Sequence, residues 1–381
     1  MKVLVAIDSF KGSLSTFQAG EAVCNGIRRV FPEAEVKICP LADGGEGTVE
    51  AVIGAMNGSM VEALVHDPIG KIIKCSYGIT STKTAVIEMA SAAGLTLIEE
   101  KDRNPLYTTT FGVGELIKDA IDKGCRKFLI GIGGSATNDG GIGMLQALGF
   151  EFLDKEGRQV SFGAIGLKDI VEIKTDNAIK ELSECEFSVA CDVKNTLCGE
   201  YGCSRVFGRQ KGATDEMIAD MDNWLEKYAM LTKAVIPMAD AAIEGTGAAG
   251  GMGFAFLSYL NGKLKSGIDL VINETGIEAY IEKADIVVTG EGRLDGQTYM
   301  GKAPIGIARL AKKYTKPVVA FSGCVTDDAA KCNEYGIDAF FPILKNPCSL
   351  EEAMDNENAS KNLADTAEQV FRLVKISSCM G

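Results

Sequence analysis

Asp192 follows the apolar run FSVAC and opens DVKNTLCGEYG, so a carboxylate is carried at the end of a rigid element and aimed into a loop. His66 is the only histidine in the chain. That removes histidine triads and multi-histidine metal sites, and leaves carboxylates to serve as base or metal ligand. Asp192 reads either as such a group or as a turn or helix cap. Lys11 sits in DSFKGSLS, a loop leading toward a helix, where the dipole disfavours a cation. It is either a solvated side chain or one that shares a bound anion with the helix N–H groups. Arg209 and Lys211, in VFGRQKGAT between Gly208 and Gly212, form a candidate clamp for carboxylate or phosphate, with an exposed basic turn as the alternative.

Four loops combine glycine with groups that bind anions or metals: DSFKGSLS, LADGGEGT, GIGGSATNDGG and TGEGRLDGQT. Glycine lets backbone N–H groups approach an anion and adopts the positive φ of an anion nest. One such turn is weak evidence. Four, each placed after an apolar run, point to ligand binding outside the carboxyl ends of parallel strands. Two familiar motifs are absent. GQTYMGK has the skeleton of a P-loop, but Ala303 replaces the metal-binding Ser or Thr, Pro304 falls at the first helical position, and the preceding strand is read as ending near Thr289. GIGGSATNDGG lacks the third glycine of a dinucleotide fingerprint.

The elements that carry these loops follow from periodicity. Strands are expected at residues 3–7 and 36–39, and again at 286–289, 318–321 and 339–343. Helices are expected from near Ser15, with Ser15 and Gln18 at capping-box spacing, and at 49–56, 305–314, 327–335 and 358–374. Continuous apolar strands alternating with helices give a doubly wound, flavodoxin-like parallel sheet built from two early and three late strands. Between them, 60–89 reads as short strands and turns. It is followed by a helix over 110–123, a strand over 128–132, a hairpin around 155–157, a strand over 187–191 and a long helix over 215–231 carrying Trp224. The α/β fold is therefore a flavodoxin-like domain of residues 1–60 and 284–381 interrupted by a second α/β domain, 61–283, with the active site in the cleft between domains.

Composition bounds the function. The 381 residues are 46% hydrophobic and 24% charged, with a net charge of −13 and a pI near 4.8. Neither nucleic acid nor an anionic membrane surface is favoured as a partner, while a local cluster of cations and N–H groups can still hold an anionic substrate. Twelve scattered cysteines without a C-x-x-C pair, and the absence of a signal peptide or membrane-spanning run, place the chain in a reducing cytoplasm.

In order along the chain, DSFKGSLS, PLADGGEGT, GIGGSATNDGG, ACDVKN, VFGRQKGAT, GAAGGMGFAF and GEGRLDGQT together resemble the glycerate kinases of bacterial glycerate and glyoxylate metabolism. The resemblance implies transfer of the ATP γ-phosphoryl group to D-glycerate, with 2-phosphoglycerate more expected than 3-phosphoglycerate, and with ATP and Mg²⁺ as cofactors. Asp192 and Lys11 are assigned to catalysis. Ser9, Gly133, Gly134, Ser135, Thr137, Asn138, Arg209, Lys211 and Arg293 are assigned to substrate and phosphate, and Asp43, Glu291 and Asp295 to the metal. Glycerate and ATP are the expected partners, with a homo-oligomer possible. Thr196, Cys203 and Arg209 depart from the pattern; Thr196 and Arg209 stand where proline is usual, which loosens those loops. A non-catalytic small-anion sensor and a hydroxy-acid oxidoreductase are the alternative readings.

Overall fold

The structure, a computed structural model, describes residues 1–41, 47–296 and 298–378. Among the described residues the strands run in chain order as β1 (Lys2–Val5), β2 (Glu35–Ile38), β3 (Ser59–His66), β4 (Ile72–Ile79), β5 (Thr84–Glu88) and β6 (Lys127–Gly131). They continue as β7 (Glu151–Leu153), β8 (Glu172–Lys174), β9 (Glu186–Ala190), β10 (Lys263–Lys265), β11 (Ile286–Leu294), β12 (Val318–Val325) and β13 (Ala339–Pro342). The chain divides into two compact units. One comprises Met1–Asp43, Glu50–Met56 and Val271–Gly381, the other Gly44–Val49 and Asn57–Leu270.

In the first unit five parallel strands take the order β13-β12-β11-β1-β2. Numbered within the unit this is 2-1-3-4-5, the flavodoxin-like arrangement, with its switch point between β1 and β11. Val3, Leu4 and Val5 are all buried, as expected for a strand covered on both faces. The helix Thr16–Val30 starts where Ser15 and Gln18 complete the reciprocal capping box. Its stripe of Ala19, Ala22, Val23, Ile27 and Val30 joins one core with Leu363, Ala367, Val370 and Phe371 of the helix Asn356–Ser378.

The second unit holds a six-stranded sheet, β10-β9-β6-β5-β4-β3. β3, β4 and β5 pair antiparallel, whereas β5, β6, β9 and β10 run parallel. The mixed pattern follows the sequence. β3 alternates exposed and half-buried residues, while β5 and β6 are nearly continuous buried runs. β7 and β8 form a separate antiparallel pair, and the turn after β7 closes through Asp154 and Arg158. Trp224, on the helix Asp215–Val235, packs against the core.

Two expectations need correction. β11 does not end near Thr289 but runs to Leu294, because β12 continues beside it and pairs Glu291 with Ser322 and Leu294 with Val325. A backbone ladder tolerates the polar GEGR side chains that read as loop. The helix expected at residues 327–335 forms with those bounds, as a 3₁₀ helix. Pro304 occupies the second position of the helix Ala303–Lys313, whose N-cap is Lys302. No helix among the described residues is long and apolar enough to cross a membrane.

Candidate functional site

At the carboxyl edge of the first sheet, the segment after β1 runs beside β11: the Ala6 amide donates to the Val288 carbonyl at 2.7 Å and the Asp8 amide to Gly290 at 2.9 Å. Asp8 is buried and its carboxylate accepts the Ser9 amide at 2.6 Å. The chain then turns on itself, with the Ser13 and Leu14 amides donating to the Phe10 carbonyl at 2.7 and 3.0 Å. Phe10 and Leu14 are buried and anchor this turn, so Lys11 is held exposed at its tip. Gly12, the third residue of the turn, has φ +77°, the conformation a type II turn asks of glycine. The Lys11 turn thus leaves the sheet at its switch point, where ligands of such sheets bind.

Glu291, Arg293 and Asp295 reach the same edge from β11 and the turn after it. A side chain at Gly292 would come within 3.3 Å of the Phe10 Cα and 3.5 Å of the Lys11 amide nitrogen, so the two segments abut. The Glu291 carboxylate is buried; it accepts the Thr298 hydroxyl at 2.6 Å and lies 3.7 Å from the Lys302 ammonium. Arg293, largely exposed, stands 3.6 Å from Asp295. Asp43 lies outside the described residues. Among those described, no three His, Cys, Asp or Glu side chains gather as metal ligands.

In the second unit the register is the informative feature. Gly131 ending β6 is paired with Ala190 ending the parallel β9, so the Gly-rich loop and the Asp192 loop leave the sheet side by side. Gly133 and Gly134 are exposed, whereas Ser135, Thr137, Asn138 and Asp139 turn inward and are buried. Lys211 is 1% exposed; its ammonium donates to the Ser135 hydroxyl at 2.8 Å and the Thr137 carbonyl at 2.6 Å. Desolvation lowers its pKa to about 8, against the raising effect of Cys203 and Asp139. Asn138 donates to the Ser204 hydroxyl at 2.8 Å, while its carbonyl oxygen and the Thr137 hydroxyl are buried without a hydrogen-bond partner.

The loop rests on GAAGG. Ala249, Gly250 and Gly251 adopt left-handed angles inside the helix Ala248–Tyr259. Gly250 accepts the Gly140 amide at 2.9 Å. A Cβ on Gly250 would lie 2.1 Å from the Thr137 carbonyl oxygen, so only glycine permits this approach.

Asp192 is exposed and accepts the Gly267 amide, at 3.1 Å, where the helix Gly267–Thr275 begins. The cap anticipated as one reading is therefore present, supplied across the fold instead of within its own turn. Arg209 and Lys211 are not brought together as a clamp: Arg209 is exposed and pairs with Asp215 at 2.6 Å, while Lys211 turns inward.

Asp139 escaped the sequence reading. Its carboxylate accepts the Thr110 amide and hydroxyl, both at 2.8 Å, and the Gly141 amide at 3.0 Å. Burial pushes its pKa up, against the lowering effect of these bonds. The run Thr108–Thr109–Thr110, buried throughout before the helix Phe111–Asp122, was the available signal.

The description of the glycerate kinase family matches residues 3–375. The chain is 44% identical to glycerate kinase of Haemophilus influenzae, over 98% of this chain and 99% of that one. It is 45% identical to glycerate 2-kinase of Escherichia coli K12, over 96% and 98%. A crystal structure of a candidate glycerate kinase 2 from Salmonella typhimurium LT2 superposes with a TM-score of 0.91 at 44% identity, covering 99% of both chains. Family match, near-complete coverage and common fold agree: the chain belongs to the glycerate kinase family.

Proposed function

We propose that the protein transfers the γ-phosphoryl group of ATP to the 2-hydroxyl of D-glycerate, releasing ADP and 2-phosphoglycerate. The observation that carries this reading is the 45% identity, over nearly the whole chain, to a glycerate 2-kinase. The geometry is suited to it. Phosphoryl transfer is achieved mainly by positioning and charge neutralisation, and the second sheet sends a Gly-rich loop and a carboxylate loop off adjacent strand ends. In this assignment Asp192 orients the attacking hydroxyl and takes its proton. The exposed Gly133–Gly134 backbone and Lys11 face anionic oxygens, with Ser9 and Arg293 at the first unit's edge. The inward-facing Ser135, Thr137 and Asn138 shape the loop, and the exposed Arg209 is the assignment with least structural support.

Mg²⁺ is commonly held by one or two carboxylates plus the substrate's own phosphates, so a complete protein cage is not required. The two described candidates are both engaged in the protein alone, Glu291 by Thr298 and Lys302 and Asp295 by Arg293. Asp43 remains a candidate. Bound there, the ion would neutralise charge on the transferring group.

The test is an ADP-release assay with D-glycerate, L-glycerate and no acceptor, followed by treating the product with enolase alone. Acceptor-dependent ADP release, and a product that enolase consumes directly, are expected. A product that requires a mutase first would reassign the reaction to the 3-hydroxyl. Binding of glycerate without ADP release would leave a small-anion sensor.

A further inference from the structure

The Gly-rich loop of the second unit is held from within by an ammonium group. Lys211 is fully buried in the 3₁₀ turn Arg209–Lys211 and reaches back to two groups of the loop, the Ser135 hydroxyl and the Thr137 carbonyl. Burying a cation is costly unless it is compensated, and a neutral side chain of similar size would fill the space more cheaply. What the ammonium adds is charge and two charge-assisted hydrogen bonds directly behind the exposed Gly133–Gly134 stretch.

We infer that Lys211 is a positioning residue that touches neither substrate, holding the Ser135–Thr137 turn from inside so that Gly133 and Gly134 face an incoming anion, with its positive charge adding to the attraction. This rests on the kinase reading above. The charged and titratable groups facing Lys211 are Asp139 on the loop it holds and Cys203 on the helix Cys203–Phe207. Arg103 donates to the Gln210 carbonyl one residue away, and Arg205 is paired with Asp222 of the helix Asp215–Val235. Burial pushes the Cys203 thiol up to about 12, so that thiol stays neutral while the amine, lowered to about 8, titrates. Loss of the ammonium proton weakens both hydrogen bonds and removes the charge behind the loop.

The test compares pH profiles of kcat/KM. In the wild type, kcat/KM should fall above about pH 8 with a slope of one. Lys211→Met should lower it roughly 10- to 100-fold at pH 7, the worth of charge-assisted hydrogen bonds, and should lack the alkaline limb. Ser135→Ala removes one acceptor of the ammonium, so its limb should begin at lower pH than in the wild type. A folded Lys211→Met that keeps the limb, or a Ser135→Ala limb that does not move, overturns the inference; if Lys211→Met does not fold, Ser135→Ala decides. The ligand-free protein separates this from the kinase reading, through the Lys211 ¹³Cε resonance followed with pH. If that resonance titrates near 8 and the Gly133 and Gly134 amides shift with it while no ADP is released, the kinase reading falls and the loop role stands. Titration near the ordinary lysine value overturns the loop role whatever the activity.

Discussion

Two side chains carry arguments that can be tested one residue at a time. Asp192→Asn retains an oxygen acceptor for the Gly267 amide but cannot take a proton from the attacking hydroxyl. We expect kcat to fall by roughly 10²–10⁴ with the melting temperature nearly unchanged. Equal falls in kcat and kcat/KM would mark an interaction made only in the transition state. A stability loss of about 1 kcal/mol with kcat intact would instead make the residue only a cap. Lys211 makes a separate prediction about stability. Its folded pKa of about 8 lies below its ordinary value of 10.5, so between these pH values the unfolded chain binds the proton and the folded chain does not. The unfolded state then holds more protons, and stability rises with pH across this window. At pH 7 the buried ammonium costs about 3 kcal/mol relative to pH above 10.5, at ~1.4 kcal/mol per unit. Wild-type stability measured against Lys211→Met in urea should therefore improve from pH 8 to 10, while activity declines. A pH-independent difference would mean that the amine is not desolvated.

At the scale of elements, the GAAGG turn and the Gly-rich loop form one device, backbone laid on backbone. Two glycines in the second unit separate the causes of that dependence. Gly199 has φ +93° with nothing within 4 Å of where a Cβ would stand, so Gly199→Ala should cost only the conformational penalty of the left-handed region, about 1–2 kcal/mol. Gly250 has φ +67° and an added Cβ would lie 2.1 Å from the Thr137 carbonyl. Gly250→Ala should therefore cost more than Gly199→Ala in urea unfolding, and should also lower turnover, because the Thr137 carbonyl that Lys211 holds must move. Equal effects of the two substitutions would show that the close approach is not what matters.

Over the whole molecule the cysteines supply a global probe. Cys24, Cys39, Cys75, Cys125, Cys203 and Cys332 are buried, and Cys324 and Cys348 are exposed. Burial raises Cys39, Cys185, Cys191 and Cys198 to about 11, which suppresses the reactive thiolate at neutral pH. With Cys379, which lies outside the described residues, replaced by serine, an aromatic disulfide reagent at pH 7.5 should label two thiols rapidly. Adding Cys324→Ser and Cys348→Ser should abolish that fast phase. A fast phase that persists would mean that one of the half-buried thiols, Cys185, Cys191 or Cys198, reacts despite its raised pKa, or that a buried one is reached through opening of the fold.

The sequence by itself determined the elements and the loops. Apolar runs mark the strands, Ser15 and Gln18 mark a helix start that forms as a capping box, and the ordered motifs identify the family. These are local signals, carried by neighbouring residues or by helical spacing. Tertiary structure decided what no short window contains. Pairing of β6 with β9 sets Gly131 opposite Ala190, and so brings the loop of Gly133 alongside that of Asp192 from positions about sixty residues apart in sequence. β11 extends through the polar GEGR only because β12 runs beside it. Arg209 and Lys211 are two residues apart in a 3₁₀ turn of three residues per turn, so they cannot share a direction. One pairs at the surface with Asp215 and the other is buried. Which of the two faces inward depends on what surrounds the turn: Ser135 and Thr137 offer acceptors on one side, and packing around that side, not local propensity, selects the lysine.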